Sequence, residues 1–550
     1  MNIHPNTPCR GQARIRVYTR NADPEAYPEG LARSIHIACE TEGEGMIPFH
    51  RNYGILFAEG RIAEDNTIIP LGVRNPGIFR MEDGTIGITA ERVHENGAPD
   101  EAGRGKVLLW KTRDLIHFEA MGLTDPESDG IPDRAEDTLT VERETAEAAR
   151  RWWSPIVHTG TKVPETIHAQ SPQELDRVRA VLEYSDGSAR EKRVNWEKEG
   201  IRFDRPGTCT AKGTVRQERF RFPLAKGYGD PVIFPWEGKW YYTSTNDNRN
   251  DIGLYVREAE SVGGLFSEET EEHLILPFSP ERGFEQTFWA PEFHVIGGEL
   301  YLLFAVSGHR WGPQCHMMKK KKAGSIIDAD GWEEPIRVVR RDGKPLAEDA
   351  ITLDMTYVRA KSGSYVIWSY REHIGTPLDS GSMLYIASVD EREPWRLTGE
   401  PALLTRPLYG WENVAGTINN EGPHAFVKDG TVYMTYSGGS ANRYTYALGL
   451  LTADTESDLS DPGAWRKSMT PVLTFRSVEG EYGPGHNSFF VNEEGELMIA
   501  YHAETGIHET LRCDGIRRVH FRKDGSPYFG MSAEEDLGRE KVTATLITGG

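Results

Sequence analysis

Cysteines and long hydrophobic runs are scarce in this sequence, and their scarcity excludes several classes of protein. The five cysteines are widely scattered and form no CxxC pair: Cys9, Cys39, Cys209, Cys315 and Cys513. This pattern indicates neither a disulfide framework nor a zinc site, so we expect reduced, buried thiols. No stretch of about 18 apolar residues is present to span a membrane. The first 20 residues also lack the apolar core of a signal peptide, and together these absences predict a cytoplasmic protein.

The chain also has fewer basic than acidic residues. The chain has 63 basic against 84 acidic residues and a net charge of -21. Such a surface repels phosphate backbones and anionic lipids, so we expect neither a nucleic-acid partner nor a membrane partner. A neutral or cationic ligand fits better. The 57 glycines and 10% aromatic residues favour a turn-rich, all-β protein.

Helices are almost absent from the pattern. Only residues 144–153 read as one, which excludes an α/β fold because that fold needs a helix between successive strands. Six hairpins appear instead, each with a polar residue, an apolar strand, a glycine turn and a second apolar strand. Their turn glycines are Gly84, Gly238, Gly298, Gly363, Gly430 and Gly495. The last five are 60 to 67 residues apart, whereas the first stands 154 residues before its neighbour.

The later hairpins continue into two further short strands, so one repeat is the four-stranded blade of a β-propeller. We expect five catalytic blades in residues 225–550, and a sixth blade from the N-terminal segment is an open alternative. The preceding chain divides into an N-terminal β segment with one blade-like repeat (1–135), a linker with a short helix (136–162) and an insert (163–224). Segment 12–75 is a candidate for the closing strand of the final blade.

The insert resembles bacterial Ig-like domains. Its motifs "YSDGS", "VNW", "PGT" and "GTV" begin at Tyr184, Val194, Pro206 and Gly213. We expect a small β-sandwich that acts as a spacer or packing module. Sugar binding is the functional alternative, and the lack of clustered aromatic residues disfavours it.

The polar residue at the head of each hairpin is the strongest functional signal. In a propeller the innermost strands line the central channel, so equivalent positions converge at one mouth. The heads lie six to nine residues before the turn glycines: Asn75, Asp230, Glu292, Asp354, Glu421 and His486. One acidic residue beside Gly or Pro usually caps a turn. Because the last five heads occupy equivalent positions, they predict one shared pit. Gathering several carboxylates in such a pit is electrostatically costly, and the arrangement persists mainly where proton transfer or a cation requires it.

Glycoside hydrolysis needs such a pit. One carboxylic acid protonates the departing oxygen, while a carboxylate on the other side of a neutral sugar activates water. Aromatic side chains near the heads offer apolar faces to a sugar ring, and Phe288, Trp289 and Tyr370 are candidates. Packing between blades is the commoner role of each alone. Trp289, directly before "APE", is the best candidate for a ligand wall.

The sequence resembles glycoside hydrolase family 43, which contains five-bladed propeller α-L-arabinofuranosidases, β-xylosidases and arabinanases. The resemblance covers roughly residues 226–525 and rests on "GDPVIF", "TFWAPEFH", "ITLDMTY", "NNEGPHAF" and "YGPGHNSFF", in that order. It implies that Asp230 is the general base and Glu421 the general acid. Asp354 matches a third carboxylate that orients Glu421 and raises its pKa. Inversion at the anomeric carbon then requires the acid and the base to lie roughly 6.5–9.5 Å apart.

The same resemblance implies supporting roles for other residues. It assigns Glu292 to pocket support and Arg512 to a position beside the sugar, and it implies no required cofactor. His486 matches a histidine found near a calcium or other ion in many members, while a hydrogen bond from a neutral imidazole to an ordered water is the alternative. Because calcium prefers oxygen ligands, such an ion would be mostly hydrated.

These features predict an inverting, exo-acting glycosidase that removes terminal α-L-arabinofuranosyl or related pentosyl residues from oligosaccharides. β-Xylosidase or galactofuranosidase activity stays open, because pocket shape decides the sugar. A non-catalytic sugar-binding propeller is the alternative from a different class, and the presence of all three carboxylates argues against it. The sequence carries no signal for the oligomeric state.

Overall fold

The computed structural model describes residues 11–41, 45–127, 130–132, 135–536 and 540–549, so Cys9 lies outside the described residues. The chain forms two compact units: one contains residues up to 153 together with 222–516, and the other contains 154–221 together with 517–550. The longest helix in the described ranges is Arg143–Trp153, and no described helix is long and apolar enough to cross a bilayer.

The larger unit contains a propeller of five sheets, which we number blade 1 to blade 5 in chain order. In each blade the strands follow chain order from the channel outwards. The innermost strands contact one another in a closed cycle in which the first touches the fifth. The strands are Gly229–Trp236, Lys239–Thr245, Leu254–Ala259 and His273–Leu276 in blade 1; Gln286–Ile296, Glu299–Gly308, Trp311–Lys319 and Ile336–Arg337 in blade 2; Ile351–Arg359, Ser364–Arg371, Met383–Ser388 and Ala402–Thr405 in blade 3; Asn420–Lys428, Thr431–Gly438, Ala447–Asp454 and Arg466–Lys467 in blade 4; and Tyr482–Val491, Leu497–Glu504 and Cys513–Arg518 in blade 5.

The glycine turns join the first two strands of each blade as the sequence predicts. At three of them two successive residues have positive φ, as in Asp429 (49°) and Gly430 (80°). This is the geometry of the two-residue hairpin turn whose twist matches that of the flanking strands, and glycine adopts it without a Cβ penalty.

The ring closes through a short segment that precedes blade 1. The N–H of Leu224 donates to the carbonyl of Asp514 (2.9 Å), and the N–H of Gly227 donates to the carbonyl of Arg512 (2.8 Å). Residues 224–227 therefore lie along the outer edge of blade 5. The closing segment does not come from 12–75, because the chain already runs beside blade 5 as it enters blade 1.

The N-terminal hairpin is not a sixth blade. The N-terminal region forms two sheets, which are Thr138–Glu142, Gln12–Tyr18, His36–Thr41 and Gly45–Pro48 in one, and Leu71–Arg80, Ile86–His94, Val107–Thr112 and Glu119–Thr124 in the other. They pack on each other and on helix Arg143–Trp153 around Ile15, Ile88 and Trp110. Residues 138–142, predicted as linker, form an edge strand because Val141 is buried in this core.

The smaller unit has six strands, in the spatial order His158–Lys162, Arg179–Tyr184, Ala189–Trp196, Gly207–Val215, Lys541–Thr548 and Thr166–His168. The last strand of the chain fills the place between Gly207–Val215 and Thr166–His168. The strand Lys541–Thr548, assigned to the propeller from the sequence, belongs to this unit because it pairs with Gly207–Val215 and its Leu546 is buried in the unit's core. Cys209 is exposed here, so the prediction of buried thiols is wrong at this position, whereas Cys39, Cys315 and Cys513 are buried.

Short elements complete the described residues. They are the strand pairs Arg61–Ile62 with Ile68–Ile69 and His520–Phe521 with Pro527–Tyr528, the single-turn helices Glu29–Ala32, Pro172–Leu175 and Ala533–Asp536, and eight 3₁₀ turns at 50–52, 101–103, 247–249, 263–266, 280–282, 329–331, 414–416 and 462–464.

Candidate active site

Every innermost strand of the propeller breaks its pairing register near one mouth of the channel. In each of these strands at least one residue near a break adopts a left-handed backbone, including Asp230 (φ 59°), Ala290 (45°), Asp354 (52°), Gly422 (54°) and His486 (38°). A bulge re-aims the side chains around it. For a residue other than glycine this conformation costs about 1–3 kcal/mol, and such strain clusters at functional sites. The five-fold repetition marks this mouth as the functional end.

The three predicted carboxylates meet in one cavity of about 880 Å³, within the roughly 300–1,000 Å³ typical of small-molecule sites. Six of the nine residues that the sequence nominated line this cavity: Asp230, Trp289, Asp354, Glu421, His486 and Arg512. The innermost strands of all five blades and the segment before Cys513–Arg518 supply them. The closed ring thus brings together residues that are far apart in the sequence.

Asp230 is surrounded by positive charge. Its Oδ1 atom lies 3.0 Å from Nδ1 of His486 and accepts a hydrogen bond from the guanidinium of Arg512 at 3.1 Å. Its Oδ2 atom accepts a hydrogen bond from the hydroxyl of Thr245 at 2.5 Å. Burial alone would raise the pKa of Asp230, but the charges of His486 and Arg512 hold that pKa well below its usual range. Asp230 is therefore a carboxylate at neutral pH.

Arg512 reaches Asp230 because blade 1 begins with a glycine. A Cβ on Gly229 would lie 2.1 Å from the central carbon of the guanidinium, so only glycine leaves room for it. Arg512 also pairs with Asp247, and the two carboxylates raise its pKa. The "GD" of the first motif thus combines an acid with the space for its cation.

Glu421 has the opposite electrostatic environment. Burial raises the pKa of Glu421 to about 7, and the negative charge of Asp354 adds to the rise. The hydroxyl of Tyr446 donates to Oε1 of Glu421 at 2.9 Å. Asp354 accepts hydrogen bonds from the Ser369 hydroxyl (2.9 Å) and from the N–H of Gly422 (3.2 Å), so it is attached to the backbone beside Glu421. Burial raises the pKa of Asp354 as well.

His486 lies between the acids. Burial would lower the pKa of His486, but the charges of Asp230, Asp354 and Glu421 raise it above its ordinary value. A proton on this ring, facing Asp230, competes with a metal ion for the same nitrogen. The one group of three described residues with metal-ligating geometry excludes His486 and consists of Glu292, His294 and His424, whose ligand atoms lie within 4.8 Å of one another.

Two candidate sugar contacts, Phe288 and Tyr370, do not line the cavity, and neither does Glu292, which the resemblance assigns to pocket support. Phe288 is fully buried in the apolar core of blades 1 and 2. Glu292 is 3% exposed and pairs with His294 at 2.7 Å, two residues past the bulge. Tyr370 packs on Tyr385 of its own blade with ring centroids 5.1 Å apart, and its hydroxyl donates to Glu372. The structure therefore does not bring Phe288 and Tyr370 to the cavity wall, and the role of Glu292 in pocket support stays a prediction.

Trp289 does line the cavity, and its indole N–H donates to Asp251 Oδ2 at 2.9 Å. Sequence reasoning missed several other residues of the wall, namely Asp247, Asp251, Ile374, Asn419, Asn442 and Arg371. Arg371 is fixed by two hydrogen bonds to Asp379 and one to Asn419. Asn419 begins the motif "NNEGPHAF" and Arg371 ends the strand Ser364–Arg371. The other four lie in turns outside the five motifs, so no motif predicts their place in the wall.

The comparisons with known proteins agree with this geometry. The family description "Glycosyl hydrolases family 43" matches residues 272–527, a range that contains Asp354 and Glu421. An extracellular exo-α-(1→5)-L-arabinofuranosidase from Streptomyces chartreusis is 32% identical over 302 residues, which cover 54% of this chain and 86% of the relative. A protein of the same name from Streptomyces avermitilis is 30% identical over 329 residues, covering 58% of this chain and 64% of the relative.

A solved structure was also found, that of an α-L-arabinofuranosidase from Lactobacillus brevis. It is 27% identical to this chain and has a TM-score of 0.49, with 58% of this chain and 98% of that chain covered.

The comparisons contradict the prediction of a cytoplasmic location. Both Streptomyces relatives are named as extracellular proteins. The prediction relied on the absence of an apolar stretch near residue 1, and that absence is no evidence of location.

The sequence resemblance, by contrast, is confirmed. Five short motifs indicated the family, and the stretch of chain that contains them folds into five blades around the carboxylates of those motifs. The identity extends over most of the Streptomyces chartreusis relative, and on that basis the chain belongs to glycosyl hydrolase family 43.

Proposed function

We propose that this protein is an inverting, exo-acting α-L-arabinofuranosidase that uses Asp230 as general base and Glu421 as general acid. One observation carries the proposal: a single cavity holds a carboxyl group with a pKa well below its usual range and another with a pKa of about 7. Pairs of acids whose environments separate their pKa values in this way divide the acid and base roles. The names of the two Streptomyces relatives support α-(1→5)-linked arabinofuranosyl units as the substrate.

The reaction follows from these protonation states. The Glu421 carboxyl donates its proton to the glycosidic oxygen as the bond from that oxygen to the anomeric carbon breaks. A water molecule held by Asp230 attacks the anomeric carbon from the opposite face and gives up a proton to the Asp230 carboxylate. After product release Glu421 regains a proton and Asp230 loses one through solvent, and no cofactor takes part in the proposed reaction.

The neighbouring residues set these two states. Burial keeps Glu421 protonated, and the negative charge of Asp354 adds to this effect. Asp354 also holds the adjacent Gly422 through a hydrogen bond. His486 and Arg512 keep Asp230 ionised. Trp289 offers an apolar wall to the sugar ring, with its orientation fixed by Asp251.

Two further expectations are retained as parts of this proposal. A calcium or other ion near His486 would be mostly hydrated and would supply only positive charge to the channel. Metal analysis and activity after chelation test it, and unchanged activity without bound metal removes the ion from the proposal. The smaller unit, which the sequence likened to Ig-like domains, is proposed to be a spacer or packing module.

A substrate screen with product analysis tests the proposed function. The protein is incubated with aryl α-L-arabinofuranoside, aryl β-D-xyloside, aryl β-D-galactofuranoside and α-(1→5)-arabino-oligosaccharides, and proton NMR records the first anomer released. We expect arabinose in the inverted β configuration. Release of another sugar would assign the protein to the corresponding glycosidase activity. Retention of configuration would contradict the roles of Asp230 and Glu421. If no substrate is hydrolysed but sugar binding is measurable, the result supports a binding protein.

A further inference from the structure

A second cavity of about 620 Å³ adjoins the catalytic one. The two share Ser440, Asn442 and Thr510 in their walls, so they lie side by side. We call the second cavity the side cleft. Its other main lining residues are Pro24, Glu25, Arg443, Tyr444, His508 and Glu509, which come from the N-terminal region, from the loop after the second strand of blade 4 and from a loop of blade 5.

The N-terminal contribution is a rigid turn. Asp23 and Tyr27 exchange backbone hydrogen bonds of 2.8 and 2.7 Å, and the N–H of Glu25 donates to the carboxylate of Asp23 at 3.1 Å. The Tyr27 ring is 1% exposed and packs among residues of the propeller, including Phe475. Glu25 is therefore presented to the side cleft on a fixed support.

The side cleft offers hydrogen-bonding groups that the fold does not use. The side chains of Glu25, Arg443 and His508 make no hydrogen bond or ion pair with any residue in the described ranges, and all three are exposed. In the catalytic cavity, by contrast, the guanidinium groups of Arg371 and Arg512 both pair with acids of the fold. Unused donors and acceptors of both charges, in a cleft of this size, suit a neutral ligand with many hydroxyl groups.

The direction of the reaction connects the side cleft to the leaving group. Glu421 protonates the departing oxygen in the proposed mechanism, so the leaving sugar chain passes Glu421. Asn442 and Arg443 follow strand Thr431–Gly438, which pairs with the strand that carries Glu421. We propose that the side cleft binds the third and later sugars of a linear oligosaccharide, with Arg443 and the N-terminal Glu25 as specificity-determining residues. This inference rests on the proposed function.

Kinetics against substrate length test the inference. The purified full chain and its Glu25→Ala and Arg443→Ala variants are compared on aryl α-L-arabinofuranoside and on α-(1→5)-arabino-oligosaccharides of two to five units. We expect kcat/KM to fall about tenfold for three or more units, mainly through KM, because a hydrogen bond to a charged group is lost. The aryl glycoside and the disaccharide should change by less than twofold.

Matched controls are Glu82→Ala and Arg341→Ala, which remove exposed side chains that line neither cavity. Equal losses on all substrates, or no difference between Arg443→Ala and the Arg341→Ala control, would overturn the inference. If the unaltered chain hydrolyses nothing, the proposed function fails separately. The side cleft is then tested by calorimetric titration of the Glu421→Gln chain, with and without Arg443→Ala, using arabino- and xylo-pentasaccharides. Binding by neither sugar, or equal affinity in both chains, overturns it as well.

Discussion

Two hairpins of this molecule have the same local design and different surroundings. The N-terminal hairpin has a glycine turn at Gly84 (φ 82°), a register shift between Arg74 and Gly77, and a left-handed head residue, Asn75 (φ 50°). The hairpin of blade 3 has the same kind of register shift and a left-handed head residue, Asp354.

The two head residues differ in exposure and in what their side chains contact. The side chain of Asn75 is exposed and donates to Glu91 at 2.9 Å, because its sheet packs in a two-sheet sandwich. Asp354 is 3% exposed and lines the catalytic cavity, because its sheet belongs to a closed ring. The local sequence produces a polar head on a bulge, and only ring closure converts such heads into a site.

Replacing the acids that face the cavity should give the largest effect. We expect Asp230→Asn and Glu421→Gln each to lower kcat for arabino-oligosaccharides by about 10²–10⁴-fold, the usual contribution of a general acid or base. Asn75→Ala, at the corresponding position of the other hairpin, should change kcat by less than twofold. Steady-state kinetics measure the change, and circular dichroism checks that each variant is folded. Near-normal turnover by either acid variant would remove its assigned role.

Replacing the third carboxylate should have a smaller effect with a distinct signature. We expect Asp354→Asn to lower kcat/KM by about 10–100-fold and to move its decline at high pH towards lower pH. The reason is that a neighbouring negative charge raises the pKa of Glu421, so removing it lets Glu421 lose its proton earlier. A full pH profile of the variant measures the shift. An unchanged profile with reduced rate would indicate a purely structural role for Asp354.

The pH dependence of the unaltered protein should show one limb within its working range. Activity requires a protonated Glu421, whose pKa is about 7, so kcat/KM should fall about tenfold per pH unit above that value. Asp230 has a pKa well below its usual range, so we expect no matching decline at mildly acidic pH. Measuring kcat/KM from pH 4 to 9 tests both limbs. A plateau extending to pH 9 would contradict the assignment of Glu421 as the acid.

A buried acid outside the cavity should affect stability rather than rate. Glu504 in blade 5 is fully buried, its carboxylate oxygens have no hydrogen-bond partner among the described residues, and burial raises its pKa to about 9. Because the pKa of Glu504 is higher in the folded state than the ordinary pKa of 4.5, the free energy of unfolding falls as the pH rises from 4.5 towards 9. At pH 7 this loss is at most about 3 kcal/mol. Glu504→Gln should therefore raise Tm at pH 7.

The pH dependence of that stabilisation separates its cause from a packing effect. The gain from Glu504→Gln should shrink as the pH falls through 4.5, because below that value the carboxyl is protonated in both the folded and the unfolded states. Calorimetric melting of both proteins at several pH values measures the gap. A gap that is independent of pH would assign the change to packing instead.

Much of the site could be predicted from the sequence because the repeat itself encodes it. Spacing from the turn glycines identified Asp230, Asp354, Glu421 and His486, since the head position is a property of each hairpin. The same rule failed at Glu292, which stands six residues before its glycine. In that strand Ala290 occupies the bulge, and Glu292 is buried against His294 outside the cavity lining.

The remaining features depend on contacts between distant segments. Uncovered strand edges and sheet faces determine where three segments pack. These segments are the N-terminal sandwich, the closing residues 224–227 and the C-terminal strand of the smaller unit. Tyr446, the hydrogen-bond partner of Glu421, belongs to no recognisable motif for the same reason. The sequence of a short hairpin determines its own turn and strands, whereas the distant segments that pack against it are determined only by the folded chain.

The dependence of rate on the leaving group tests the central claim most directly, namely that Glu421 supplies the proton and Asp230 activates the water. Hydrolysis of a series of aryl α-L-arabinofuranosides is measured for the unaltered protein and for Glu421→Gln and Asp230→Asn. We predict that Glu421→Gln loses least on the best leaving group, which needs no proton, and that Asp230→Asn loses equally on all. Equal losses across the series for Glu421→Gln would contradict the account.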